Sequence, residues 1–139
     1  MQIRSYQKFD EAAVLNLWDE CGLVVTWNNP KQDIKRKLKV QPELFLIGCI
    51  DDKIIATAMA GYDGHRGWVY YLAVQPDYQN RGIGREIMHA AEERLLAIGC
   101  PKIDIMVRTT NSKVVNFYNA IGYKIDSVST LSKRLIDDD

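Results

Sequence analysis

The chain has 139 residues, of which 47% are hydrophobic, and its 18 basic and 18 acidic side chains give a formal net charge of zero. This length favours one domain, residues 1–139, and the balanced charge provides no overall field to attract nucleic acid or a membrane surface. The first residues lack a signal-peptide pattern and no apolar run reaches the roughly 18 residues of a spanning helix, so we expect a cytoplasmic protein.

In chain order, apolar periodicity and capping residues predict two helices between the first strand and a strand pair. Asp10 is the expected cap of the first helix, and Asn29 followed by Pro30 is the expected start of the second. The first half of the chain is therefore predicted as a strand at Gln2–Tyr6, a helix from Asp10 to Gly22, a helix from Asn29 through Leu38, a strand at Leu44–Ile50 and a strand at Lys53–Tyr62.

The second half alternates between strands and helices. Its predicted elements are a strand at Trp68–Val74, a helix at Ile83–Ile98, a strand at Lys102–Arg108, a helix from Asn111 to about Ile121, and an extended segment at Tyr123–Leu135 with a strand or two. Tight turns between the middle strands imply antiparallel pairs, and the strand–helix–strand crossover implies one parallel pair. We expect a mixed, mostly antiparallel α/β sheet with helices on both faces.

Cysteine and histidine positions argue against a disulfide framework and against a metal site. Cys21, Cys49 and Cys100 are an odd number without C-x-x-C spacing, which fits reduced thiols. His65 and His89 lie at no ligand spacing from a cysteine or carboxylate, so we expect no metal.

The most informative segment is Gln79-Asn80-Arg81-Gly82-Ile83-Gly84, called the glycine turn below, which joins a buried strand to an amphipathic helix. Backbone N–H groups and the positive end of a helix dipole meet there, and this arrangement binds phosphate. A dinucleotide fingerprint would need a third glycine where Ile87 stands, and a P-loop would need Gly-Lys-Ser/Thr. A plain tight turn is the alternative.

The chain resembles the GCN5-related N-acetyltransferase (GNAT) family in two motifs. The glycine turn is similar to the Gln/Arg-x-x-Gly-x-Gly/Ala signature, and the preceding Leu72-Ala73-Val74-Gln75-Pro76 looks like the end of that family's fourth strand. The segment from Asn111 through Tyr118 to Gly122-Tyr123 is similar to its second signature. The resemblance implies the GNAT fold and an acetyltransferase that uses acetyl-CoA.

The resemblance also implies which residues bind the coenzyme. Backbone groups of the glycine turn would hold the diphosphate, and the end of the fourth strand would pair with the pantetheine arm. A bulge in that strand would leave its edge open for this pairing, whereas a continuous, fully paired strand would not. Asn111 has two expected roles, as a helix cap and as a hydrogen-bond partner of the arm. The expected coenzyme-binding residues are Leu72, Ala73, Val74, Gln79, Asn80, Arg81, Gly82, Ile83, Gly84, Arg85, Asn111 and Tyr118.

Tyr118 matches the family tyrosine that protonates the leaving thiolate, the alternative being an aromatic packed in the core. The general base is less evident, because Met106 stands where some relatives carry Glu. Asp63, with His65 beside it, is the expected base, although Asp-Gly is also an ordinary turn signal. Asp104 is a further carboxylate whose direction the sequence leaves open.

The family's acceptor site implies a region rich in aromatic residues, here Trp27, Asn28, His65, Trp68 and Tyr70. The basic residues between 31 and 39 are expected to form a solvated helix face, or else to attract an acidic substrate.

We expect direct acetyl transfer from acetyl-CoA to a primary amine, either a small amine or a protein or peptide N-terminus. The alternative is a non-catalytic acyl-CoA-binding sensor or interaction module, and a homodimer is one expected assembly.

Overall fold

A computed structural model describes residues 1–138 and contains an open five-stranded sheet with four α-helices. The elements are β1 (Gln2–Ser5), α1 (Glu11–Glu20), α2 (Pro30–Lys37), β2 (Phe45–Ile50), β3 (Lys53–Tyr62), β4 (Gly67–Val74), α3 (Ile83–Ala97), β5 (Ile103–Asp104) and α4 (Ser112–Ala120). The strands lie in the order β1-β2-β3-β4-β5, with antiparallel pairs except for the parallel β4–β5 pair. The predicted fold class is confirmed.

Alternation of side chains along the central strands separates two cores, one on each face of the sheet. Leu46 of β2 and Val69 of β4 pack with α3, where Ile87 and Leu95 are buried. The neighbouring Ile47 packs on the opposite face, with the helices α1 and α2. Helices therefore cover both faces, as predicted, and each strand contributes to both cores.

The two predicted helix caps have different outcomes. The Asn29 side chain accepts a hydrogen bond from the Gln32 N–H at 3.2 Å and so caps α2, as predicted. The prediction that the Asp10 side chain caps α1 is wrong. Its carboxylate instead accepts two hydrogen bonds from Arg4, at 2.7 and 2.9 Å, and one from the Gln7 N–H. The bidentate ion pair is the stronger interaction, and it ties the start of α1 to β1.

The last third of the chain has less strand than its sequence pattern predicts. β5 contains two residues, where a strand over 102–108 was expected, and within residues 123–135 the structure has no strand. A strand is stable only when a neighbour pairs with it, and β5 pairs with Gly67 and Trp68 of β4 alone. Beyond that point the chain has no ladder with β4, and the unpaired side of β4 is called the cleft below.

Within residues 1–138, no helix is both long and apolar enough to cross a membrane. In the same range, no three His, Cys, Asp or Glu side chains are grouped closely enough to hold a metal ion.

Candidate functional site

Strand β4 has a bulge on its β3 side, at the level where its other edge has no pairing with β5. Thr57 of β3 is opposite Ala73, and Met59 is opposite Tyr70, so that two residues of β4, Tyr71 and Leu72, face one residue of β3. Tyr71 has a φ of 53°, in the left-handed region that bulky side chains rarely adopt. Of the two arrangements that the sequence left open, the structure has the bulged strand.

The direction of the backbone groups follows from one hydrogen bond after the bulge. The Gln75 N–H donates to Ile55 O on β3 at 2.8 Å. Because N–H groups alternate in direction along a strand, those of Val74 and Leu72 point to the opposite edge, towards the cleft. The Val74 carbonyl is already engaged, since it accepts hydrogen bonds from Gln79 Nε2 at 3.0 Å and from Cys21 Sγ at 3.3 Å.

A buried hydrogen-bond network on the α1/α2 face holds the bulge. The Thr57 hydroxyl donates to the Tyr71 carbonyl at 2.8 Å and accepts from Trp18 Nε1 at 2.9 Å. The Tyr71 ring stacks on the Trp18 indole with centroids 3.8 Å apart, and its hydroxyl donates to Asp33 Oδ2 at 2.6 Å. Burial and the neighbouring Asp33 carboxylate raise the pKa of the Tyr71 phenol. Sequence reasoning missed Trp18, Thr57, Tyr71 and Asp33 as site residues; the one signal was a hydroxyl residue within an otherwise apolar buried strand.

The glycine turn forms the N-terminus of α3. The first helical hydrogen bond runs from the Glu86 N–H to Gly82 O at 3.0 Å, so the N–H groups of residues 83–85 have no partner within the helix. Gly82 has a φ of 80° and open space where a Cβ would lie. Its backbone conformation therefore favours glycine, and the free N–H groups with the helix dipole provide an anion site.

Gly84 has a different role from Gly82. A Cβ there would come within 3.1 Å of the Phe117 ring of α4 and 3.7 Å of Val74 Cγ2. The absence of a side chain thus allows α4 to pack against the start of α3. The contact brings the end of β4, the glycine turn and α4 to one point.

Tyr118 lies on α4 directly after Phe117 and is 7% exposed. Its ring makes edge-on contacts with Phe117 and Tyr123, with centroids 5.1 and 5.5 Å apart. Burial raises its pKa to about 12, so the phenol stays protonated at neutral pH. The Tyr118 hydroxyl makes no hydrogen bond within residues 1–138. It is still not fully enclosed, because in that range Arg94 Nη1 is the one fully enclosed side-chain N or O atom without a partner. At the start of the same helix, the Asn111 side chain accepts from the Val114 N–H at 3.3 Å, which is the capping role.

The Asp63 carboxylate organises the β3–β4 turn. It accepts hydrogen bonds from the N–H groups of His65 and Arg66, both at 2.8 Å, and these bonds lower its pKa. A lowered pKa makes a carboxylate a weaker base, so the geometry favours the turn role that the sequence left as the alternative. Asp104 lies 3.7 Å from Lys102 Nζ and 4.0 Å from Arg66 Nε.

The predicted acceptor residues come from three parts of the fold. Trp68 and Tyr70 lie on the sheet face that carries α1 and α2, since Tyr70 pairs with Met59 of that core. Trp27 and Asn28 lie in the α1–α2 loop, and His65 lies in the exposed β3–β4 turn.

Two arginines that sequence reasoning missed contact the α1–α2 loop. The Arg108 guanidinium lies 4.9 Å above the Trp27 ring. Arg134 Nη2 donates to Trp27 O at 2.7 Å, which joins the C-terminal segment to the loop. The loop is therefore held from two distant parts of the chain.

Known proteins resemble this chain in sequence and in fold. The model of the acetyltransferase (GNAT) family matches residues 11–123. An acetyltransferase of Pectobacterium atrosepticum is 45% identical over 138 residues, which cover 99% of this chain and 98% of that protein.

Two solved structures share the fold at low sequence identity. The aminoglycoside 6'-N-acetyltransferase AAC(6')-IG of Acinetobacter haemolyticus superposes with a TM-score of 0.78 at 16% identity, covering 98% of this chain and 100% of that one. AAC(6')-Iy, in complex with the bisubstrate analogue CoA-S-monomethyl-acetylneamine, superposes with a TM-score of 0.77 at 17% identity, covering 96% and 97%.

Proposed function

Because the chain belongs to the GNAT family and is an acetyltransferase, we propose that it moves the acetyl group of acetyl-CoA to a primary amine by direct attack of the amine on the thioester. The observation that carries this proposal is the contact at Gly84, where Val74 of β4 and Phe117 of α4 meet the glycine turn. In this proposal the anion site, the open strand edge and the phenol of Tyr118, the residue after Phe117, act on one bound coenzyme. The solved neighbour bound to a CoA bisubstrate analogue supports the same donor.

The described residues fit acetyl-CoA in two ways. The free N–H groups of residues 83–85 would bind the diphosphate together with the other backbone groups of the glycine turn, and Arg81 and Arg85 would add charge-assisted contacts. The open edge of β4 at Leu72–Val74 would pair with the amides of the pantetheine arm, and Asn111 would be a further partner.

In this proposal Tyr118 is the general acid. When the amine nitrogen bonds to the thioester carbon and the C–S bond breaks, the sulfur leaves as a thiolate that needs a proton. A pKa of about 12 keeps the Tyr118 phenol protonated at physiological pH, so it has a proton to give.

The acceptor in this proposal is a small amine or a protein or peptide N-terminus that contacts Trp27, Asn28, His65, Trp68 and Tyr70. Asp63 is the proposed base, but its lowered pKa favours an acceptor that needs little help in losing a proton. An α-amine, with a pKa of about 7.7–8.0, meets that condition better than a lysine-like amine at about 10.4. The solved neighbour bound to an acetylneamine analogue supports a small amine.

A non-catalytic acyl-CoA-binding module is the second candidate. Met106, which is 47% exposed after β5, favours it because a thioether cannot take a proton from an amine. The two candidates share coenzyme binding and differ in turnover.

We treat residues 1–139 as one GNAT domain with no nucleic-acid partner, and we place it in the cytoplasm because Cys21, Cys49 and Cys100 are free thiols. We also propose a homodimer. The support for it is the series of exposed apolar side chains in the C-terminal segment, namely Ile125, Val128, Leu131, Leu135 and Ile136.

The test is thiol release from acetyl-CoA with a panel of amines, diamines and peptides, together with calorimetry of acetyl-CoA binding. We expect micromolar to millimolar binding and amine-dependent release of CoA. Binding without turnover on any acceptor would favour the sensor module. Absence of binding at millimolar acetyl-CoA would exclude both candidates.

A further inference from the structure

Thr57 is a fully buried polar residue that takes no part in the proposed coenzyme binding or proton transfer. It is 0% exposed on β3, on the face that packs against α1, and its neighbours in that core are apolar. A buried hydroxyl without partners is costly, yet both hydrogen-bonding functions of this one are satisfied, by Trp18 Nε1 as donor and by the Tyr71 carbonyl as acceptor. The arrangement also fixes the hydroxyl hydrogen, because the indole N–H occupies one lone pair and the single O–H is directed at Tyr71 O.

Tyr71 needs such support. Its φ of 53° is unfavourable for an aromatic residue and persists only where the surroundings hold it. Three contacts do so: Thr57 holds the carbonyl, the Trp18 indole covers the ring at 3.8 Å, and Asp33 accepts from the phenol at 2.6 Å.

The hydrogen bond to the Tyr71 carbonyl also orients the N–H of Leu72. The carbonyl of Tyr71 and the N–H of Leu72 belong to the same trans peptide, in which the two groups point in opposite directions. The Thr57 hydroxyl holds the carbonyl towards β3, on the α1/α2 face of the sheet. The Leu72 N–H is therefore directed away from β3, in agreement with the direction towards the open edge that follows from the Gln75 hydrogen bond.

We infer that Thr57 is a positioning residue, which aims the Leu72 N–H at the thioester carbonyl oxygen of acetyl-CoA. This inference rests on the proposed function. As the amine attacks, negative charge develops on that oxygen, and an N–H group already in place stabilises it without reorganisation. Thr57 itself touches neither substrate; it acts through the Tyr71–Leu72 peptide.

The test compares Thr57→Val with Thr57→Ser. Valine keeps the shape and removes the hydroxyl, whereas serine keeps the hydroxyl. Calorimetry gives the dissociation constants of acetyl-CoA and of CoA, which share the diphosphate and the pantetheine arm but differ in the acetyl carbonyl. We expect Thr57→Val to weaken acetyl-CoA binding several-fold relative to CoA, and to lower kcat by about tenfold or more, as for a misplaced oxyanion donor. Thr57→Ser should restore both.

Two controls separate this role from a loss of stability. Ile47→Val truncates a buried side chain of the same core on β2 and should leave the ratio of the two dissociation constants unchanged. Thr57→Cys, with a weak thiol donor, replaces Thr57→Val if the valine variant does not fold.

An unchanged ratio and an unchanged kcat in the hydroxyl-free variant would overturn the role of Thr57 while leaving the acetyltransferase proposal intact. A wild-type protein that binds neither ligand would overturn both.

Discussion

Tyr71, Tyr118 and Tyr123 have strongly raised pKa values, and the partners of their hydroxyl groups distinguish them. Tyr71 donates to Asp33 and Tyr123 donates to Glu92 Oε2, both at 2.6 Å, so each phenol hydrogen is already committed. The pKa of Tyr118 is raised by burial alone, and its hydroxyl makes no such bond within the described residues. Its proton is therefore free to be donated elsewhere, which is the property that a general acid requires.

Replacement of Tyr118 by Phe should lower kcat by about 10²-fold or more, because the thiolate then leaves without a positioned proton donor. The dissociation constant of acetyl-CoA should change by less than about twofold, since the ring and its packing remain. Steady-state thiol release and calorimetry give the two values. Tyr123→Phe is the matched control: it removes a phenol bonded to Glu92 and should reduce stability by about 1 kcal/mol with kcat retained. Equal loss of kcat in both variants would contradict the role of Tyr118.

The Asp10 carboxylate, which is 3% exposed, should make the protein sensitive to acid. Burial alone would raise its pKa, but the hydrogen bonds from Arg4 and the Gln7 N–H outweigh burial and hold the pKa below its usual value. In the unfolded chain the pKa is about 3.9. The stabilisation from the ionised group is therefore complete above pH 4 and is lost as the pH falls through the lower, folded-state pKa.

Asp10→Asn should accordingly lower the free energy of unfolding by about 1.5–3 kcal/mol at pH 7, because a charge-assisted hydrogen-bond pair is lost. Near pH 2 the two proteins should have nearly equal stability. Urea unfolding at both pH values measures the difference. Asp19→Asn, on the exposed side of α1, should change stability by less than about 0.5 kcal/mol at either pH. A pH-independent difference for Asp10→Asn would mean that its charge does not contribute.

At the scale of elements, the start of α3 depends on two glycines for different reasons. In Gly82→Ala the new Cβ meets open space, so the cost is that of a left-handed residue, about 1–2 kcal/mol of stability. We expect this strain to disturb the N–H groups of residues 83–85 and to weaken acetyl-CoA binding. In Gly84→Ala the Cβ instead presses on the Phe117 ring and so displaces α4.

The two variants should therefore differ in their kinetics. Gly82→Ala should raise the dissociation constant of acetyl-CoA by a larger factor than it lowers kcat. Gly84→Ala should lower kcat by at least as large a factor as it raises the dissociation constant, because Tyr118 moves with Phe117. Calorimetry and thiol release distinguish the two patterns. Identical effects of both variants on binding and on kcat would refute the separate roles of these glycines.

The elements that sequence reasoning placed correctly are those whose pattern depends on their own residues. The apolar runs of β2, β3 and β4, the Asn29-Pro30 helix start and the 3.6-residue period of α3 are local signals. The error at β5 had another cause. Residues 105–107 are Ile-Met-Val, a sequence that favours a strand, but pairing with β4 ends at Trp68. Whether a neighbouring strand pairs with this segment depends on the whole sheet, so the sequence of the segment alone does not reveal it.

The same distinction applies to the site. The glycine turn and Tyr118 belong to short motifs, so the sequence alone is enough to propose them as site residues. Thr57 and Asp33 lie 14 and 38 residues from Tyr71 along the chain, and only the packing of α1 and α2 onto the sheet brings them together. An aspartate in the first turn of a helix is also common for electrostatic reasons alone, so Asp33 gave no separate signal.

At the scale of the whole molecule, the C-terminal segment is held by polar contacts while its apolar side chains face outward. Asp138 accepts a bidentate pair from Arg36, and Lys102 donates to Asp126 at 3.0 Å. Leu131 and Leu135, in contrast, are 90% and 86% exposed. The edge of the sheet at β5 is open as well, and an open edge and exposed apolar side chains each favour association of two copies.

If the proposed homodimer uses this surface, the wild-type protein should have a solution mass of twice the 15.9 kDa chain mass by light scattering at micromolar concentration. Leu131→Ser should shift the mass towards one chain, because it removes apolar area from the interface. Leu96→Ser is the matched control, since Leu96 is 72% exposed on α3 and should leave the mass unchanged. A wild-type mass of one chain would exclude the dimer under these conditions. A dimer that resists Leu131→Ser but not Leu96→Ser would place the interface on α3 instead.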